Sequence, residues 1–398
     1  MKRRTFLKKT TGAGGMVLSS LAVGTGFSTS ELLSATRSSK ASNKGKSPIR
    51  VGVITQKGGP HLTIYLKALA ASEGLAGLAI SDESGATFEQ AESSLGQRFP
   101  ELGKFRDYRK MIETFKPQMV LICLEAHLAP DRIRRALEGN CSVLAEKPAC
   151  VRAEDFEPLV QLAESRNLHL MLSLPGRLHP SAIKAKELIR SGFLGKLYGT
   201  QVFQVKDQTR LTRPSYQDSW FAFKDKAGGG HLIWLGIHNL DLIQYLADDP
   251  IAKVSAICRN VGGQLVEIED AEALALQFKN GMVGTFHGGY YLEQGGYQSA
   301  LTIWGSKGWL RISGSRHKAD SRQQLDWQST HPDAPEGLQS VPFPTDVKSY
   351  QLLVQAAIKA SAGTDEAAPL TGRDCLQVLR VIFGAYRSSE TGREQSIG

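Results

Sequence analysis

His238 and Asp241 stand three residues apart in a run, Leu232 to Leu246, whose apolar residues recur with helical spacing. At about 100° per residue, Trp234, His238, Asp241 and Tyr245 fall within about 60° of one another on one face. Leu232, Leu235, Leu242 and Leu246 form an apolar stripe turned to the other side. An imidazole held in one tautomer by a carboxylate suits general acid/base chemistry. A polar helix face is commonly just solvated, but the indole of Trp234 on this one points to a cleft.

A second constellation lies near the start of the chain. The apolar run Ile49–Ile54 leads into Thr55-Gln56-Lys57-Gly58-Gly59-Pro60. Glycines in a strand-to-helix turn let the backbone approach a pyrophosphate at the helix amino end, and Lys57 would add positive charge there. The turn does not spell G-x-G-x-x-G, so an ordinary connecting loop remains an alternative reading. Asp82 closes the next apolar run, where a carboxylate accepts hydrogen bonds from an adenosine ribose and repels a 2′-phosphate, favouring NAD over NADP.

These residues need a frame, and the pattern supplies one. Strands are expected at Ile49–Ile54, Ala76–Ile80, Met119–Leu124 and Ser142–Ala145, and helices at His61–Glu73, Ala86–Leu95, Tyr108–Phe115 and Asp131–Glu138. Such alternation predicts an α/β fold with a doubly wound parallel sheet, which binds ligands beyond the carboxyl ends of its strands. After Gly195 the strand-like runs are Leu197–Val205, Ala252–Arg259, Ala271–Phe278, Met282–Tyr291, Ser299–Gly305 and Gly308–Ser313. The turns Asn280-Gly281 and Ser306-Lys307-Gly308 have hairpin chemistry, so a large, mostly antiparallel, open-faced sheet is expected in a second α/β domain. The polar stretch from Gly314 to Pro344 shows neither period and reads as an irregular excursion. Helices at Ser349–Ala362 and Gly372–Ser389 close the chain.

With 398 residues, 41% hydrophobic and 22% charged, the chain is a globular protein of about two domains. Its formal charge of +9 is concentrated before residue 48, where nine cations face only Glu31. The remainder is nearly neutral, which argues against a nucleic-acid partner. Arg3-Arg4-Thr5-Phe6-Leu7-Lys8 followed by the uncharged stretch Gly12–Phe27 resembles a twin-arginine export signal. That stretch is shorter than the roughly 20 residues needed to span a membrane, so no membrane anchor is expected after cleavage. Cleavage after Ala35 would leave residues 36–47 as a polar linker and a periplasmic or otherwise exported protein. Cys123, Cys141, Cys150, Cys258 and Cys375 lack metal-ligand spacing, so no metal site is expected; Cys123 reads as core, and a Cys141–Cys150 disulfide is only conceivable.

The strand Ser142–Ala145 runs directly into Glu146-Lys147-Pro148. Arg177-Leu178-His179-Pro180 follows, then Gly228-Gly229-Gly230 and His238-Asn239-Leu240-Asp241. In combination with the first-half pattern these motifs resemble the Gfo/Idh/MocA oxidoreductase family over roughly residues 49–385. The resemblance implies a Rossmann-like NAD(P)-binding domain over residues 48–172 and a family-type C-terminal domain over 173–398. It implies hydride transfer with a sugar, inositol or related hydroxyl carbon, Lys147 and His238 being catalytic. Thr55, Lys57, Gly58, Gly59, Asp82, His127, Glu146 and Lys147 would then line the cofactor, and Arg177, Trp234 and Asp241 the substrate. The exposed sheet face would carry a homo-oligomer. The chain departs from the family at Trp234, where Asp is usual, at Leu124-Glu125-Ala126-His127, where T-P-N-x is usual, and at the phosphate turn. Export away from nicotinamide pools implies tightly held NAD, recycled within each turnover as in NAD-dependent glycosidases or enzymes acting on two sugars. The competing class is a sugar-binding protein that kept the fold and lost the chemistry.

Overall fold

The apolar runs of the first half lack polar alternation because both faces of their sheet are covered. Val51, Val53, Leu121 and Val143 are at most 1% exposed. The computed structural model describes residues 47–317, 320–363 and 367–398. The twin-arginine segment, its cleavage site and the linker up to residue 46 lie outside the described residues. Among the described residues no helix is long and apolar enough to cross a membrane.

Six parallel strands form the first sheet: β1 (Ile49–Thr55), β2 (Leu75–Ser81), β3 (Gly103–Phe105), β4 (Met119–Cys123), β5 (Ser142–Ala145) and β6 (Leu170–Leu172). Their order is β3-β2-β1-β4-β5-β6, so chain direction across the sheet reverses between β1 and β4. Ligands bind at such a switch point in open α/β sheets. The longer helices of this half are α1 (Leu62–Ala71), α2 (Phe88–Leu95), α3 (Ala129–Glu138) and α4 (Ala153–Ser165). β3, β6 and α4 were not expected from the sequence: two are three-residue strands, and α4 carries Pro158 in its interior. The helix expected at Tyr108–Phe115 begins as α over Tyr108–Lys110 and continues with π hydrogen bonding over Met111–Phe115.

After α5 (Pro180–Arg190), the second sheet begins with β7 (Leu197–Asp207). Following α6 (Ile237–Ala247) come β8 (Ile251–Arg259), β9 (Ala271–Phe278), β10 (Val283–Leu292), β11 (Tyr297–Gly305), β12 (Gly308–His317), β13 (Asp320–Ser329), β14 (Gln339–Phe343) and β15 (Gln395–Ser396). Its order is β14-β13-β12-β11-β7-β10-β9-β8-β15, antiparallel except for β7 with β10. β9 shows the one-sided burial of an open-faced sheet: Glu272, Leu274, Leu276 and Phe278 point inward, whereas Ala273, Ala275 and Gln277 are exposed. Tyr198, Ile257, Val283 and Trp304 are likewise exposed.

The stretch from Gly314 to Pro344 is not irregular. It completes β12 and supplies β13 and β14, in a register that pairs Leu325 with Ile312 and with Val341. Backbone pairing at the growing edge of a sheet tolerates polar side chains. Among the described side chains of β13, Leu325 and Trp327 are the buried ones, too few to show alternation in the sequence. Helices α7 (Ser349–Ser361) and α8 (Gly372–Thr391) finish the fold; α7 packs on α1 and α8 on β8. All five cysteines are buried and free; Cys141 and Cys150 donate instead to the carbonyls of Pro117 and Pro148.

Candidate active site

The turn between β1 and α1 lies at the switch point, and its geometry fits a dinucleotide. A Cβ on Gly59 would lie 2.6 Å from both the Cys123 carbonyl oxygen and Thr55 Oγ1, so only glycine lets the turn approach β4 this closely. Gly58 has φ of 77°, and a Cβ there would enter open space. The backbone N–H groups of Lys57, Gly58 and His61 form no hydrogen bond among the described residues. Unpaired N–H groups beside a helix amino end are an anion cradle. Thr55 is itself engaged, its Oγ1 donating to the Cys123 carbonyl at 3.1 Å.

Asp82 plays a different part from the one its position implied. It is 2% exposed, and its two oxygens accept from the N–H and hydroxyl of Ser84 and the N–H and hydroxyl of Thr87. A carboxylate offers about four acceptor sites, so the loop into α2 occupies them and leaves none for a ribose. Burial works to raise its pKa, but these bonds outweigh burial and leave it below the ordinary value. His127 also stays off the cofactor turn. Its N–H donates to the Lys226 carbonyl, and its ring lies 3.5 Å from Glu125, which itself accepts from Gln56 at 2.8 Å.

Because β5 ends at Ala145, the next two residues emerge at the carboxyl edge of the sheet. Glu146 is buried below the cavity, where Oε2 accepts from Tyr65 and lies 3.1 Å from His61 Nδ1. Among the described residues its Oε1 has no hydrogen-bond partner, and it lies 3.7 Å from Lys147 Nζ. Lys147 lines the cavity, and its Nζ donates to the Trp234 carbonyl at 2.6 Å. Burial pulls its pKa down to about 8, with Glu146 opposing and Arg210 assisting the fall.

The helix carrying His238 starts with a π-turn over Leu232–Gly236 before α6. Glu269 fixes that start by accepting from the N–H of Gly230 and Leu232 and from the Tyr386 hydroxyl. A Cβ on Gly230 would lie 2.0 Å from the Glu269 carbonyl oxygen, which explains the glycine there. The cavity face of the helix consists of Trp234, Leu235, His238, Asn239 and Leu242, so two leucines assigned to packing line the site. No hydrogen bond reaches the His238 ring among the described residues. Desolvation, with Lys147, His61 and Lys206 nearby, holds its pKa well below the ordinary value, so the imidazole is neutral.

Asp241 and Arg177 do not contact the cavity. They form a buried pair with three N–H to oxygen contacts of 2.6–3.1 Å, and Arg177 also reaches Asp374 at 3.4 Å. Asp241 lies on the flank of the helix face, about 60° from His238, and meets Arg177 there. This corrects both the substrate role expected for the pair and the tautomer-fixing role expected for Asp241. Trp234 lines the cavity but is largely enclosed. It is 6% exposed, Lys147 Nζ sits 4.4 Å from its ring centre, and Trp220 and Phe221 abut it at 5.3 and 4.9 Å.

The cavity has a volume of about 1210 Å³ and lies between α1, the His238 helix, β7 and the segment leading into α7. Sequence reasoning missed Gln204, Lys206, Arg210, Tyr290 and Tyr350 in its lining. Gln204 and Lys206 share a face of β7, a period-two signal visible only once that face is known to meet a helix. His231 was missed as well: it sits behind the cavity, fully buried, its Nδ1 2.5 Å from Glu272.

Two family models match in succession: an oxidoreductase family, NAD-binding Rossmann fold over residues 49–174, and the GFO/IDH/MocA C-terminal domain over residues 182–311. The dTDP-3,4-didehydro-2,6-dideoxy-alpha-D-glucose 3-reductase of Saccharopolyspora spinosa is 25% identical over 265 residues, 66% of this chain and 74% of the relative. The D-glucoside 3-dehydrogenase of Escherichia coli is 26% identical over 40% of this chain and 44% of its own. The WlbA dehydrogenase of Bordetella pertussis, crystallised with NADH and UDP-GlcNAcA, superposes with a TM-score of 0.73 at 20% identity, over 88% of this chain and 98% of that one. The parallel sheet with its phosphate-ready turn, the open-faced second sheet and the two successive matches together show that the chain belongs to the Gfo/Idh/MocA oxidoreductase family, with an NAD-binding Rossmann domain in its first half.

Proposed function

We propose that the chain catalyses NAD-dependent hydride transfer at a hydroxyl carbon of a sugar, inositol or related polyol. The observation that carries this reading is Lys147, a buried amine with pKa about 8 at the carboxyl edge of the parallel sheet, sharing one cavity with the neutral imidazole of His238. Bound NAD supplies the hydride acceptor. Lys147 takes the hydroxyl proton, the Trp234 carbonyl aims its amine, and Glu146 below stabilises the ammonium that forms. His238 hydrogen-bonds the same hydroxyl as a neutral ring. Trp234 contributes by holding Lys147, since an indole does not titrate and cannot stand in for a carboxylate. The test is single-turnover reduction of NAD on the loaded protein with a panel of sugars and polyols. Reduction by none of them would leave a sugar-binding protein.

The reading extends to the cell. The Arg3-Arg4 segment supports twin-arginine export, which carries folded proteins and hence a preloaded cofactor. Tightly held NAD would then be reduced by one substrate and reoxidised by another. Replacing Arg3 and Arg4 by Lys is expected to leave the precursor in the cytoplasm on fractionation; export at the normal level would refute the assignment. The open sheet face, with Ile257 and Val283 exposed, is assigned to contact with a second copy.

A further inference from the structure

A base that takes a proton in every turnover must give it up again, and Lys147 is poorly placed to do so alone. Its side chain is 2% exposed. Its amine donates to the Trp234 carbonyl at 2.6 Å and lies 4.4 Å from the centre of the Trp234 ring, and neither group takes a proton over. Across the cavity His238 is held neutral by burial and by the cations near it, so it offers no outlet either.

A path leads downward instead. Glu146 Oε1, 3.7 Å from Lys147 Nζ, is buried and has no hydrogen-bond partner among the described residues. A buried acceptor left open is costly, and a proton from Lys147 would fill it. The other oxygen, Oε2, accepts from the Tyr65 hydroxyl and lies 3.1 Å from His61 Nδ1. Tyr65, Tyr350 and Cys123 also surround this carboxylate. Burial first and the Glu146 charge second push the pKa of all three up, so they keep their protons. His61 differs from them. Its side chain is 37% exposed and lines the same cavity as Lys147. An imidazole can take a proton on one nitrogen while the other gives one up, so a ring set between a buried carboxylate and open space joins the two.

We propose that Glu146 and His61 form a proton relay that carries the substrate's hydroxyl proton from Lys147 to solvent. The need for such a relay rests on the oxidoreductase reading, whereas its contacts stand without it. As the hydride leaves the sugar carbon with its electron pair, the hydroxyl proton passes to Lys147 Nζ. One Nζ–H bond then breaks while an O–H bond forms on Glu146 Oε1. The acid turns about its last carbon–carbon bond, a torsion with broad wells, and passes the proton to His61 Nδ1 while the far ring nitrogen gives one to water. Lys147 and His61 end neutral and Glu146 ionised, so nothing but the one proton has moved. Tyr65 keeps its own proton throughout and holds the carboxylate in place. Glu146 and His61 thus act through Lys147.

Exchange of the Lys147 ammonium protons with water reads the relay with no sugar present. It is followed by NMR on lysine-labelled, NAD-loaded protein below a pH of about 8, where the amine is protonated, with the signal identified by its loss in Lys147→Ala. His61→Gly is the first variant, because His61 has φ of 58°, which glycine adopts freely, and loss of the ring leaves room for added imidazole. Exchange is expected to slow by about tenfold or more in His61→Gly and to recover with imidazole. Glu146→Gln should slow it as much, with no recovery, since imidazole cannot replace a buried carboxylate; thermal melts check that both variants fold. Exchange at the wild-type rate in either variant, or a slowing in His61→Gly that imidazole leaves in place, overturns the proposal. Spectra of the bound nicotinamide with a panel of sugars separate the two readings. Exchange governed by His61 with no sugar reducing NAD would defeat the oxidoreductase reading alone, and reduction of NAD with exchange indifferent to His61 would defeat the relay alone.

Discussion

Lys147→Ala is expected to slow single-turnover reduction of bound NAD by about 10²–10⁴-fold, the contribution of a positioned general base, while the protein still retains NAD. The effect follows from the absence of a substitute carboxylate among the described residues: Glu146 is buried below the cavity, Asp241 is paired with Arg177, and Asp207 is occupied by Thr209 and Gly295, while the neutral His238, whose pKa lies well below the ordinary value, is a far weaker base than the Lys147 amine. The pH dependence has a definite sign. Only the neutral amine accepts the hydroxyl proton, and burial brings Lys147 down to about 8, so the wild-type rate should rise with pH and level off above about 8. His238→Ala should also slow the step. It should leave that rise in place, because the imidazole is already neutral across the range. A wild-type rate that falls as pH rises through 8 would remove Lys147 from the role of base.

Arg177→Ala is expected to destabilise the protein by about 3–5 kcal/mol, because it strands Asp241 as an unpaired charge in a buried site. The cost should appear as a lower denaturation midpoint. Catalysis per folded molecule should barely change, since neither partner lines the cavity. A substrate-binding arginine would give the reverse pattern, a raised KM with little loss of stability. Asp241→Asn should cost less than Arg177→Ala, since its amide oxygen still accepts from the guanidinium.

The frame was legible because buried parallel strands write themselves as continuous apolar runs, such as Met119–Cys123 and Ser142–Ala145. Three-residue β3 and β6 are too short to leave a period, and the polar edge strands β13 and β14 are held by backbone pairing that side-chain patterns do not record. In the site, helical spacing placed Trp234 and His238 on the cavity side but could not say which neighbour each residue meets. Asp241 met Arg177, and Leu235 and Leu242 met the cavity. Asp82 was drawn away by Ser84 and Thr87, two and five residues on, whose capping chemistry was readable in the sequence. Lys206 and Arg210 had no such signal, because a cation at a strand end looks the same whether it faces water or a pocket.

The proposed reaction is hydride transfer from a sugar carbon to NAD with Lys147 as the base for the hydroxyl proton. The measurement that bears on it most directly is the near-ultraviolet absorption of reduced nicotinamide, followed after NAD-loaded wild-type and Lys147→Ala proteins are mixed with neutral and anionic sugars. The account predicts a single-turnover rise for wild type with at least one sugar, and a rise slower by about 10²–10⁴-fold for the variant. Equal rates in the two proteins, or no reduction in wild type by any sugar that calorimetry shows to be bound, would contradict it.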